Sequence, residues 1–88
     1  MSYHKKTDKN QQDIIDSLRD DGCSVISLHM VGNGCPDLIV GYKGNNYLFE
    51  VKSDGGELNE NEVEHFATWK GQSHVIWNAE EAIEIIRR

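Results

Sequence analysis

The sequence predicts a mixed α/β domain in which a sheet is flanked by helices, in the order α-β-β-β-α-β-α. Three observations lead there. Apolar residues recur at helical spacing near both ends of the chain. The middle switches to period two and then to two apolar runs separated by Gly44-Asn45. Two Asn-x-x-Glu signals mark later helix starts. With 88 residues, 38% hydrophobic and 27% charged, and a single proline, the chain suits one domain, 1–88, rather than two cores or a disordered tail.

Residues 1–6 read as a polar leader. Thr7 or Asp8 then caps a first helix in which Ile14, Ile15 and Leu18 share a face and Gly22 marks the end. From Cys23 to Met30 the pattern alternates, with Ile26, Leu28 and Met30 on one side and Val25, Ser27 and His29 on the other, which predicts a strand. The segment Val31-Gly-Asn-Gly-Cys-Pro36 is a sharply turning loop. Residues 37–43 and 46–52 form a hairpin closed by Gly44-Asn45, and the consecutive apolar residues Leu38, Ile39, Val40 and Tyr47, Leu48, Phe49 predict that both its faces are covered. After the polar connection Ser53–Glu57, Asn59 caps a second helix, Glu62 reciprocates, and Leu58 with Val63 forms a hydrophobic staple. That helix is expected to reach about Lys70, with Val63, Phe66 and Ala67 inward and Gly71 stopping it. Gln72–Trp77 is a short strand, and Asn78-x-x-Glu81 opens a last helix with Ala82, Ile83, Ile85 and Ile86 as its apolar positions.

Charge narrows the function classes. Nine Lys and Arg against fifteen Asp and Glu give a net charge of −6, which excludes a non-specific polyanion binder. Residues 1–52 hold six basic and seven acidic side chains, whereas residues 53–88 hold three and eight, so the acidity sits in the second half. A nucleic-acid partner therefore requires a metal or a local basic patch to neutralise part of the site. Lys5, Lys6, Lys9 and Lys43 are the candidates for such a patch, since phosphate contacts position DNA without reading its sequence. No apolar run approaches the roughly 20 residues of a membrane span and the first residues lack a signal segment, so a cytoplasmic protein is expected. Cys23 and Cys35 form no CxxC pair, and a zinc site drawn from Cys23, His29 and Cys35 lacks the usual tight ligand pairs; small buried thiols are the simpler expectation.

The hairpin carries the chemistry. A turn centred on Gly44-Asn45 sets Lys52 opposite Asp37 and Glu50 opposite Ile39. Glu50 and Lys52 then point the same way, and Asp37 lies diagonal to Glu50 at about 7–8 Å between backbones, within reach of one bridging cation. Two carboxylates and an ammonium at the ends of apolar strands are costly without a use. Hard oxygen donors such as Asp37 and Glu50 suit Mg2+ or Mn2+, with the Val51 carbonyl as a third ligand. Lys52 can orient or help deprotonate an attacking water and can offset charge on a phosphoryl group. The structural alternative for the same residues is an exposed ion pair, worth at most about 1 kcal/mol.

Gly34-Cys-Pro-Asp37 followed by Glu50-Val-Lys52 resembles the PD-(D/E)xK nuclease signature and, more narrowly, the virus-type replication-repair nuclease (VRR-NUC) family. An acid-bearing helix, the Gly-x-Pro-Asp-Leu-hydrophobic-Val run, the Glu-x-Lys strand and a helix start similar to Leu-(Ser/Thr)-x-x-Gln occur in that order, so the similarity spans nearly the whole chain. The resemblance implies a restriction-endonuclease-like core, a divalent metal, catalytic Asp37, Glu50 and Lys52, and a homodimer acting on branched DNA such as Holliday junctions. The family carries a further metal-site Glu on its first helix, for which Asp13 is the best-matching position here. Its helix-start glutamine corresponds to Glu62, which can complete a capping box but adds negative charge near a site that must admit phosphate.

Other conspicuous residues have ordinary readings. His4 falls in the leader, His65 on the polar flank of the second helix and His74 at a strand start, while His29 precedes the glycine loop, within reach of the metal site or a scissile phosphate, although a strand-end histidine on a backbone carbonyl is the commoner case. Trp69 and Trp77 read as packing or dimer-contact residues. The expected function is a metal-dependent, structure-selective DNA endonuclease working as a homodimer, since a small core cannot surround a duplex alone. Its rivals are a non-catalytic acidic binding or adaptor protein on the same fold and a nuclease for RNA or single strands.

Overall fold

Helix α1 spans Ser2–Asp20 in the computed structural model, which describes residues 2–88, with side chains from Lys9 onward. Helix thus replaces the expected polar leader and runs through the expected cap at Thr7 or Asp8. No glycine or proline precedes Gly22, and a Lys- and Gln-containing stretch offers nothing to stop helical backbone. The side chains of His4, Lys5 and Lys6 lie outside the described residues. The far end of α1 stops where expected. Gly22 adopts φ +92°, its N–H donates to the Arg19 carbonyl at 3.0 Å, and the Cys23 N–H donates to the Leu18 carbonyl at 3.0 Å. This is a Schellman motif, sealed by the buried Leu18 and Cys23.

Four strands follow: β1 (Ser24–Ser27), β2 (Leu38–Tyr42), β3 (Asn45–Val51) and β4 (Ser73–Ile76), with helix α2 (Glu60–Thr68) before β4 and α3 (Ala79–Ile86) after it. The protein is therefore a mixed α/β domain in the expected order, α-β-β-β-α-β-α. The sheet order is β1-β2-β3-β4; the first three strands form an antiparallel meander and β4 runs parallel to β3, which the α2 crossover makes possible. Strand β1 is shorter than the alternation from Cys23 to Met30 suggests. A Val31 N–H to Leu28 carbonyl bond of 2.9 Å turns the chain immediately after it, leaving Met30 85% exposed.

One face of the sheet is the core. Val25, Leu38, Val40, Tyr47, Phe49, Val51 and Ile76 meet Ile14, Ile15 and Leu18 of α1 and Ala82 and Ile86 of α3, all buried. A bond from Arg19 to the Val25 carbonyl at 3.2 Å ties α1 to this layer, and bonds from Arg87 to both oxygens of Asp21 at 2.7 Å join the ends of α1 and α3.

The other face departs from expectation. Ile39 and Leu48 are only half-buried, Ile26 is 62% exposed, and α2 contributes no buried residue. Val63 and Ala67, expected inward, are exposed, and Phe66 is half-buried. The reason lies in how α2 is held. It meets the sheet through Glu62 on Lys52 at 3.0 Å and His65 on Ser73 Oγ at 2.8 Å, so its polar side faces the strands. Helical spacing alone does not say which side of a short amphipathic helix is turned to a sheet that carries polar groups of its own. Among the described residues no helix is long and apolar enough to cross a membrane.

Candidate functional site

The hairpin turn sits one residue earlier than the sequence suggests. Tyr42 pairs with Asn45, and the two central residues Lys43 and Gly44 have φ +50° and +86°. Two successive positive φ values define a type I′ turn, which places glycine second; a turn centred on Gly44-Asn45 places it first. The register becomes Leu38 to Phe49, Ile39 to Leu48 and Val40 to Tyr47. The expected pairings of Lys52 with Asp37 and Glu50 with Ile39 are therefore corrected. Continued beyond β2, the ladder sets Asp37 directly opposite Glu50. The displacement is an even number of residues, so each side chain keeps its face. What changes is proximity: Tyr42 and Asn45 flank a two-residue turn and form a hydrogen-bonded pair, so alternation makes the Asp37 and Glu50 position a non-bonded pair, where α-carbons stand about 4.5 Å apart.

Pro36 breaks the ladder at the next position. The same alternation brings Val51 opposite Pro36 as a bonded pair, and proline has no N–H to give the Val51 carbonyl. The Val51 N–H turns instead to Asp37, donating to its Oδ2 at 2.8 Å. Asp37 is thereby oriented by backbone while Val51 keeps a carbonyl that receives no ladder bond from β2. Pro36 itself is fully buried. Gly34 brings the preceding loop against α2: at φ +83°, a β-carbon there falls on the Asn61 carbonyl.

Glu50 is 3% exposed and is the one buried charged residue among the described residues. Its Oε2 stands 3.3 Å from Lys52 Nζ; its Oε1 is buried and receives no N–H or O–H donor, and the proton that burial retains on this carboxyl is shared toward the neighbouring Asp37 and Glu62 carboxylates. Lys52 also donates to Glu62 Oε1 at 3.0 Å. Two carboxylates thus contact one ammonium, with Asp37 a third charge close by, and their titration reflects it. Burial, reinforced by the charges of Asp37 and Glu62, pushes the Glu50 carboxyl up to about 8. Burial also raises Asp37, against the Val51 N–H that favours its anion. Glu62 moves the other way: burial pushes it up, but the Asn59 N–H and the Lys52 ammonium outweigh burial and hold it below the usual carboxylate range. For Lys52, burial favours the neutral form, yet Glu62 and Glu50 prevail and keep the side chain a cation above its ordinary range. Cys35, half-buried beside these acids, is raised by burial and then by Asp37 and Glu50.

The donor set can be tested against a hard divalent cation. Glu50 Oε1 is buried and receives no donor, Asp37 accepts the N–H of the adjoining Val51, and Pro36 has no N–H to give the Val51 carbonyl. These are oxygen ligands of the type Mg2+ and Mn2+ prefer, and an orphaned buried carboxylate oxygen is what such an ion satisfies. The residues fit the metal. Among the described residues no three His, Cys, Asp or Glu side chains converge as a ligand group, so Asp37 and Glu50 are a pair of side-chain donors to which the Val51 carbonyl and water would add.

The remaining candidates are not brought to this site. Asp13 is exposed and pairs with Lys9 at 3.4 Å, one helical turn away, so both are engaged at the surface of α1. The residue of α1 that approaches the C-terminal end of β3 is Asn10, half-buried, which shares a cavity of about 290 Å³ with Ser53, Asp54 and Trp77. Lys43 lies in the turn with its ammonium 5.4 Å from the Tyr42 ring centre, roughly 20 Å from Asp37 along β2. His29 bonds Ser27 Oγ at 2.9 Å rather than a backbone carbonyl. His65 stacks on Trp69, and His74 packs on Phe49, where burial lowers its pKa. Glu62 is the member of the cluster whose role sequence reasoning left undecided. Its signal was the Asn59-x-x-Glu62 spacing, which fixes that carboxylate at the first turn of α2.

Comparison with protein-family models, with curated proteins and with solved structures gives no match for this chain.

Proposed function

We propose that the protein is a divalent-metal-dependent DNA endonuclease. The observation that carries this reading is the buried Glu50 carboxylate, whose Oε1 receives no donor, next to a Val51 N–H that holds Asp37 Oδ2 at 2.8 Å, with the Lys52 ammonium 3.3 Å from Glu50. Asp37, Glu50 and the Val51 carbonyl would hold Mg2+ or Mn2+. Such an ion supplies Lewis-acid polarisation of a phosphodiester and lowers the pKa of water. Lys52, paired with two carboxylates, donates hydrogen bonds and offsets charge developing on a phosphoryl oxygen. Asp37, fixed by the Val51 N–H, sets the position of its carboxylate before any ligand arrives. The resemblance to VRR-NUC nucleases supports a restriction-endonuclease-like fold and branched DNA, Holliday junctions included, as substrate.

A homodimer belongs to this reading. The half-covered sheet face and α2 offer Ile26, Val63 and Trp69, each more than half exposed, as apolar surface for a second copy. Cytoplasmic location is also part of it, and two free thiols suit a reducing compartment. The rival reading, a non-catalytic acidic adaptor, draws on two carboxylates paired with a single lysine, and Asp37 close by, in a chain of net charge −6.

The deciding experiment is cleavage of labelled four-way junction, linear duplex, single-stranded DNA and RNA with Mg2+ or Mn2+, using wild type and a folded Lys52→Ala variant. Junction cleavage that falls at least a hundredfold in the variant supports the nuclease. A folded wild type that cuts none of the substrates with either metal leaves the adaptor reading standing.

A further inference from the structure

We propose that Glu62 is a positioning residue that anchors the Lys52 ammonium beside the Asp37 and Glu50 pair; the inference rests on the nuclease reading above. A lysine side chain has four rotatable bonds, so an ammonium aimed at a reaction centre needs a fixed counterpart. Glu50 alone is a poor one, because its oxygens are the ones a metal ion takes. Once Glu50 is engaged and neutralised in that way, Glu62 is the charged partner left to Lys52 within the cluster.

Glu62 is built for this. It is the third residue of α2, where it completes a capping box: its N–H donates to Asn59 Oδ1 at 2.8 Å, and its Oε1 accepts the Asn59 N–H at 3.0 Å. The same Oε1 accepts Lys52 Nζ at 3.0 Å, closer than the 3.3 Å between Lys52 and Glu50. One oxygen therefore ties the lysine of β3 to the first turn of α2, and the backbone fixes that oxygen independently of Lys52. Both side chains are largely buried, 17% exposed for Lys52 and 12% for Glu62, which excludes the water that weakens surface pairs. The contact also explains a helix without apolar anchors: α2 contributes no buried residue, yet it sits with its N-terminus at the site. The loop side supports the same placement, since Gly34 lets that loop pack against Asn61, the residue before Glu62.

Two substitutions separate anchoring from helix capping. Glu62→Gln keeps a capping-box residue and an acceptor for Lys52 but removes the charge; Glu62→Ala removes both. The direct readout is the 15N resonance of the Lys52 ammonium, assigned by its loss in Lys52→Ala and recorded with and without Mg2+. In the wild type the ammonium is expected to be protected from solvent exchange under both conditions. Exchange should rise roughly tenfold in Glu62→Gln, as a charge-assisted bond becomes a neutral one, and the protected signal should vanish in Glu62→Ala. Junction cleavage should follow in kcat, with KM for DNA and Mg2+ affinity by calorimetry changed less than about threefold.

A protected Lys52 signal that survives Glu62→Ala with Mg2+ present overturns the proposal, because Glu50 then suffices. A tenfold or larger loss of Mg2+ affinity in Glu62→Gln, with the Lys52 signal intact, also overturns it and makes Glu62 a metal ligand. If the wild type cuts no DNA while Glu62→Ala still releases the ammonium, the anchor stands and the nuclease reading fails.

Discussion

Glu50→Gln tests whether the buried acid pair is held together against its own charge. In the wild type the Glu50 carboxyl is pushed up to about 8 from an ordinary 4.5. As pH rises between those values, the unfolded chain releases this proton while the folded protein keeps it, so the unfolded state binds fewer protons and stability falls. The contribution is complete below pH 4.5 and has been lost above about pH 8. The size of the displacement sets an upper bound of about 5 kcal/mol. Relaxation and water entry around the ionised carboxylate reduce it, and about 2–4 kcal/mol is expected. Asp37, also raised, adds to the loss in the same direction. Glu62, held low, contributes the opposite sign but only below the ordinary carboxylate range, raised Lys52 matters only above its ordinary range, and lowered His74 adds a rise below its ordinary 6.5 that wild type and variant share, so none masks the divergence. The glutamine variant cannot ionise. Urea unfolding followed by far-ultraviolet circular dichroism from pH 5 to pH 9 should show the wild type losing stability steadily and Glu50→Gln holding most of its own, the two curves diverging toward alkaline pH. Parallel curves would refute the argument, since they would mean that Glu50 titrates alike in the folded and unfolded states.

Further outcomes follow from the same geometry. Mg2+ must compete with the proton on Glu50, so saturating Mg2+ should raise the wild-type melting temperature more at pH 8.5 than at pH 6 and leave Glu50→Gln nearly unmoved; equal shifts at both pH values would place the ion elsewhere. Gly34→Ala should cost about 2–3 kcal/mol in urea titration, because the residue has φ +83° and its new methyl falls on the Asn61 carbonyl; a loss below about 0.5 kcal/mol would contradict that contact. Asp13→Asn should leave Mg2+ affinity by calorimetry within about twofold of wild type, since this exposed acid is engaged with Lys9; a tenfold loss would return Asp13 to the ligand set.

How much of the site was legible depended on which kind of information each residue needed. That Asp37, Glu50 and Lys52 share a face follows from period two and the even displacement of the register, which survives a turn misplaced by one residue. Their distance does not survive it. Whether Glu50 meets Ile39 or Asp37 is decided by the backbone geometry of Lys43 and Gly44, and both Gly44-Asn45 and Lys43-Gly44 are acceptable hairpin centres on composition alone. Asp13 illustrates the converse. A helix of known apolar face still leaves several acids along its flank, and only the packed structure turns Asp13 to solvent and Asn10 toward Ser53 and Asp54.

The sequence by itself determined the order of elements, the caps at Gly22, Asn59 and Asn78 and the identity of the acids and lysine that share a face. These are set by local propensities and periodicity, which act over a few residues. That only one sheet face is fully covered, where the apolar runs predicted two, was left to packing. Tertiary structure alone decided the register of the hairpin, the exposure of the α2 apolar side and the meeting of Glu62 with Lys52. Each of these depends on contacts between segments distant in the chain. There several local solutions are nearly equal in energy, and packing with charge pairing selects among them.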